Sequence, residues 1–85
     1  MITNSSQYKQ KYLQKFKNLT DNELAEEFNR KVGIKYFNFA IQGFMDAMRE
    51  ELIRRKIDFS EIDHENSMSY KNKVKILNCK IIKEI

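Results

Sequence analysis

Residues 36–57 read YFNFAIQGFMDAMREELIRRKI, and the period of this stretch decides the fold. Phe37, Ile41, Phe44, Met48, Leu52 and Arg55 recur at steps of three or four, so they line one face of a helix predicted over 36–57. Beside that face runs a strip of small residues, Ala40, Gly43 and Ala47. Glycine inside a helix costs about 1 kcal/mol relative to alanine, and a second backbone pressed close against the strip is the expected compensation. Glu50–Arg54 and Glu51–Arg55 are i,i+4 pairs in the favourable order, each worth a few tenths of a kcal/mol. Arg54, Arg55 and Lys56 complement the negative end of the helix dipole.

Upstream, Asn4, Ser5 and Ser6 are capping residues that open a first helix over 6–18, with Tyr8, Tyr12, Phe16 and Leu19 on one face. Thr20-Asp21-Asn22-Glu23 is a capping box. The Thr20 hydroxyl is placed to accept from the Glu23 N–H and the Glu23 carboxylate from the Thr20 N–H, with Leu19 and Leu24 positioned as a staple. A second helix over 21–32 follows, with Leu24, Phe28 and Val32 inward and Gly33 as its left-handed cap.

Downstream, residues 58–69 form a polar connector in which Phe59 and Ile62 tuck under the helices and Ser60 caps a single turn. The period then changes to two. Met68, Tyr70, Val74 and Ile76 alternate with Lys71, Lys73 and Lys75, which is strand patterning. Asn78 accepts positive φ, so Asn78-Cys79 suits the loop of a two-residue hairpin, although Cys79 stands where glycine is expected. That register sets Ile76 opposite Ile81 and Lys73 opposite Glu84, with Val74 and Ile85 on the apolar side. The predicted fold is α+β: one domain over 1–85, with three helices, the central one longest, followed by a C-terminal two-stranded antiparallel hairpin over about 68–85.

Composition narrows the function classes. With 85 residues, 41% hydrophobic and 33% charged, the chain has a globular profile. No apolar run is long enough to span a membrane, and MITNSSQYKQKY lacks the apolar core of a signal peptide. One cysteine, Cys79, excludes an internal disulfide and a cysteine-rich zinc site, and a reducing cytoplasm is the expected compartment. Gly33 and Gly43 are the only glycines, too few for a phosphate-cradling loop. His64-Glu65 begins like a zinc-protease helix, but Met68 stands where the second histidine belongs. The acidic residues from Asp58 to Glu65 lack the glycine of a calcium loop. No catalytic residue, metal, cofactor or small-molecule substrate is expected.

The net charge of +4 is unevenly spread. Basic ends, Lys9 to Lys17 and Lys71 to Lys83, flank an acidic middle. Richness in Lys, Asn and Ile with no proline also fits an AT-rich coding sequence. Two surfaces follow. An unpaired hairpin edge at Ile81, Ile82 and Ile85 would pair with another strand, so the leading expectation is a non-catalytic protein-interaction or regulatory module that self-associates or binds a protein. The row Lys71, Lys73, Lys75 and Lys80 would track phosphates, which makes a nucleic-acid-binding accessory protein the alternative. Exposed lysines also simply keep a sheet edge soluble.

Overall fold

The computed structural model describes residues 4–64 and 67–84. Its elements are α1 (Ser5–Phe16), α2 (Asp21–Asn29), α3 (Phe39–Arg54), β1 (Asp63–His64), β2 (Ser67–Met68), β3 (Val74–Leu77) and β4 (Lys80–Lys83). Three helices followed by a two-stranded antiparallel sheet make the fold α+β, with α3 the longest helix. The pair β1–β2, which the polar composition of 58–69 does not announce, forms a second small sheet.

Gly43 sets the helical spacing. A Cβ there would collide with the Cβ of Tyr8 and lie 2.7 Å from the Lys9 nitrogen and 2.8 Å from the Ser5 oxygen. The α1 backbone therefore lies directly on the small strip of α3. The start of α1 sits at Gly43 and its last carbonyl, on Phe16, reaches Arg55, so the two helices run in the same sense. Phe16 and Tyr12 present ring edges to Phe44, with centroids 5.3 Å apart in each pair. Phe16, Leu24, Phe28, Phe44 and Leu52 are buried, and Val74, Ile76 and Ile81 close the same core from the hairpin.

The caps explain the boundaries. Asn4 accepts from the Gln7 N–H, and both halves of the Thr20–Glu23 capping box form. The helix expected over 21–32 ends instead at Asn29. Lys31 and Val32 bond three residues back, which tightens the chain into turns before Gly33 at φ 81. The helix expected from Tyr36 begins at Phe39, because the Asn38 side chain takes the Ile41 N–H at 2.9 Å. Its C-terminus is a Schellman motif. Lys56 N–H donates to Ile53, Ile57 N–H donates to Leu52, and Lys56 sits at φ 58 where glycine is usual. The motif turns Ile57 into the core.

The hairpin has the expected loop, with Asn78 at φ 51 and Cys79 at φ 59, and Ile76 faces Ile81. It is shorter than 68–85. Tyr70 turns inward onto Phe28, ring centroids 4.2 Å apart, and its carbonyl accepts from the Gly33 N–H, so 69–73 serves the end of α2. Lys73 adds one rung, accepting from the Glu84 N–H. In the connector it is Asp58, not Ser60, that caps the turn, accepting from the Ser60 N–H at 2.9 Å.

Candidate interaction surfaces

Each edge of the hairpin is met in part from within the chain. On β4, the Ile81 N–H donates to the Asp58 carbonyl at 2.7 Å, and the Asp58 N–H donates to the Cys79 carbonyl at 2.8 Å. The Lys83 N–H donates to the Glu61 carboxylate at 3.1 Å. On β3, the Asn29 amide imitates a neighbouring strand: its Nδ2 donates to the Val74 carbonyl at 2.9 Å, and its Oδ1 accepts from the Val74 N–H at 2.8 Å.

Of the residues singled out for strand pairing, Ile81 is buried in the core. Ile82 is half-buried opposite Lys75, and Ile85 lies outside the described residues. The lysines divide as well. Lys75 pairs with Ile82 on the outer face, and Lys80 on that face lies 3.9 Å from Glu61. Lys71 stands in the bend before β3 and Lys73 at its entry. Among the described residues, Lys71, Lys73 and Lys75 are exposed and make no ion pair.

A third surface lies at the start of α3. Because Asn38 starts the helix late, Tyr36 and Phe37 fall in a connector without regular structure and are each 65% exposed. Phe39, at the first position of α3, is 58% exposed. From there a stripe of Gln42, Asp46, Arg49, Glu50 and Ile53 runs along the face of α3 that turns away from the core. Gln42 donates to Asp46 at 2.7 Å, Arg49 to Asp63 at 3.2 Å, and Lys9 pairs with Glu50 at 2.6 Å. Arg49 also lies over the Phe59 ring, 5.0 Å from its centroid.

Beside this stripe is a cleft of about 320 Å³ lined by Phe37, Gln42, Met45, Asp46, Arg49, Met68 and Tyr70. The buried Tyr70 hydroxyl has no hydrogen-bond partner among the described residues. Burial, and then the Asp46 charge, push it well above the usual phenol range, so it stays a neutral phenol.

The strongest ionic cluster serves the helix junction. Glu51 is buried, and Arg54 and Arg55 both donate to it. Arg55 extends the cluster to the Asp21 carboxylate and to the carbonyls of Phe16 and Leu19.

Reading the period alone places Phe37 on the core face and misses the aromatic connector. The signal that reveals it is local: Asn38 three residues before Ile41 is a capping residue, which releases everything before it from the helix. No protein-family model, curated protein or solved structure matches this chain.

Proposed function

We propose that this chain is a non-catalytic protein-interaction module whose docking surface is the aromatic connector with the adjoining stripe of α3. The observation that carries this reading is the run Tyr36, Phe37 and Phe39, three large apolar side chains more than half exposed within four residues of chain. Three exposed large apolar residues so close in sequence on a small protein support an interaction site, since aromatics supply much of the energy in such sites. The strand edge is a poorer route, since Asp58, Glu61 and Asn29 already hold backbone groups that a partner strand needs. The Glu51–Arg55 cluster is engaged by the carbonyl that ends α1 and by one in the α1–α2 linker, which supports a structural role.

The test compares immobilised wild type with a variant carrying Tyr36→Ser, Phe37→Ser and Phe39→Ser, each against extract of the source cells and against the purified chain itself. A species retained by wild type and lost with the three serines is the expected result. Equal retention by both proteins overturns the reading.

A second reading, binding of a polyanion, draws on Lys71, Lys73 and Lys75, which stand exposed without ion pairs among the described residues. Changing all three to Gln should flatten the log-affinity against log-salt slope for duplex DNA by about 0.9 per lysine. Absence of duplex binding by wild type at low salt removes this alternative.

A further inference from the structure

The outward stripe of α3 has an order that suits one occupant in particular. From the N-terminal end it runs Phe39, Gln42, Asp46, Arg49, Glu50, Ile53: apolar ends around a polar centre in which an acid precedes a base by three residues. Turned end for end about a point midway between Asp46 and Arg49, the stripe sets base level with acid, and Phe39 comes within three residues of the other copy's Ile53, which is itself level with Gln42. A two-fold interface requires that kind of self-complementarity, since each residue must suit its counterpart under reversal. We propose that the partner of this surface is a second copy of the chain, joined through α3 in an antiparallel pair in which Asp46 of each copy meets Arg49 of the other and Phe39 packs near Ile53. The inference rests on the docking surface proposed above and names its occupant.

The geometry allows it. A two-fold axis midway between Asp46 and Arg49 puts each carboxylate level with the opposite guanidinium. Phe39 and Ile53 of the other copy are then offset by three residues, about 4.5 Å at 1.5 Å rise per residue, a distance that a phenylalanine side chain spans. Ile53 is 56% exposed, so both apolar ends of the stripe stand out to solvent.

The charges are available as well. Among the described residues Asp46 holds only the Gln42 amide and no cation within ion-pair distance. Arg49 spends one nitrogen on Asp63, and a guanidinium has five donors, so a second carboxylate can be held at once. Glu50, near the axis, is already neutralised by Lys9 on α1 and adds little repulsion. The connector aromatics lie beyond the N-terminal end of each stripe, where they would extend the contact over the C-terminal end of the opposite α3.

One helix from each copy buries less than a standard interface, so a dissociation constant in the micromolar range is expected. Sedimentation equilibrium on the full chain, from roughly 10 μM to 1 mM, tests the pairing. Wild type is expected to dimerise. Asp46→Arg leaves two arginines on each copy, and Arg49→Asp leaves two aspartates, so each variant alone should be weakened by 100-fold or more, about 2.7 kcal/mol. Mixed in equal amounts they should form a heterodimer, because arginine then faces aspartate at both contacts. Ile53→Ser breaks the apolar end without touching the charges and should also give monomers; it decides the question if Arg49→Asp, which loses Asp63, fails to fold by circular dichroism.

A wild-type chain that stays monomeric across the range overturns the proposal. So does undiminished dimerisation of Asp46→Arg or Ile53→Ser, or a mixture of folded charge variants that stays monomeric. A monomeric wild type that still retains a different protein through Tyr36, Phe37 and Phe39 removes the second copy as occupant and leaves the docking surface standing.

Discussion

Arg55 Nε, at the C-cap of α3, donates to Glu51 Oε2 at 2.6 Å one turn back, and the same guanidinium gathers the end of α1 and the start of α2. Its Nη1 lies 2.8 Å from Asp21, and its Nη2 lies 2.9 Å from the Phe16 carbonyl and 2.6 Å from the Leu19 carbonyl. The Phe16 carbonyl ends α1 and also accepts from the Leu19 N–H, and the Leu19 carbonyl lies in the linker to α2, so one planar fork ties the helix end and the linker together. Arg55→Lys keeps the charge but loses the fork. It should destabilise the fold by roughly 2–4 kcal/mol, read from urea denaturation, because a buried carboxylate loses geometry a lysine cannot replace. A midpoint equal to wild type would show the fork is not needed.

Acid should weaken the protein partly through Glu51. Burial alone would raise its carboxyl, but the hydrogen bonds and charges of Arg54 and Arg55 outweigh burial and hold it below the ordinary 4.5. A carboxyl depressed in the folded state contributes stability that is fully present above its unfolded value. That contribution is lost as pH falls through the folded value. Thermal melts from neutral pH into acid should therefore show a steeper loss in wild type than in Glu51→Gln, which starts less stable at neutral pH. Parallel curves would assign the acid sensitivity to other carboxylates.

Gly43→Ala sets two effects against each other. Alanine favours the helix by about 1 kcal/mol. Its Cβ would meet the α1 backbone at 2.7–2.8 Å as well as Tyr8, and backbone cannot step aside as a flexible side chain does. Overpacking costs about 1–3 kcal/mol, and contacts this short place it at the upper end. A lower melting temperature is expected; a higher one would mean that α1 moves away without cost.

Three non-glycine residues carry positive φ among the described residues; Asn78 tolerates it, whereas Lys56 at 58° in the Schellman motif and Cys79 at 59° in the hairpin loop would be relaxed as glycine. Lys56→Gly and Cys79→Gly should each raise stability by about 0.5–1 kcal/mol, since the left-handed region costs other L-residues roughly 1–2 kcal/mol and glycine regains only part of that in chain entropy. Unchanged melting temperatures would show that neither backbone is strained.

Asn29→Ala should leave the Val74 N–H and carbonyl without their partner on the β3 edge. Each unmet backbone group costs about 1–3 kcal/mol if water cannot reach it. Faster hydrogen exchange at the Val74 amide, with a drop in overall stability, is the expected outcome. Unaltered exchange would mean that the edge is protected by something other than Asn29.

What the sequence determines here is whatever depends on neighbours along the chain. The capping box needs only Thr20 and Glu23, the hairpin loop only the two residues between matched strands, and the close approach at Gly43 only a missing Cβ in an apolar stripe. Tertiary structure decided the rest, because the partners lie far apart in the chain. Asn29 meets Val74 across 45 residues, and Arg55 meets Phe16 across 39. Asp58 closes the β4 edge only because the Schellman turn at Lys56 carries the chain there. The start of α3 shows the boundary between the two. The apolar period extends back through Phe37, but a side-chain oxygen on Asn38 takes the Ile41 N–H, and once that bond forms the aromatics before it have no helix face to fill. They stand in solvent because periodicity records which residues could share a face, whereas the folded chain settles which backbone donors remain to build it.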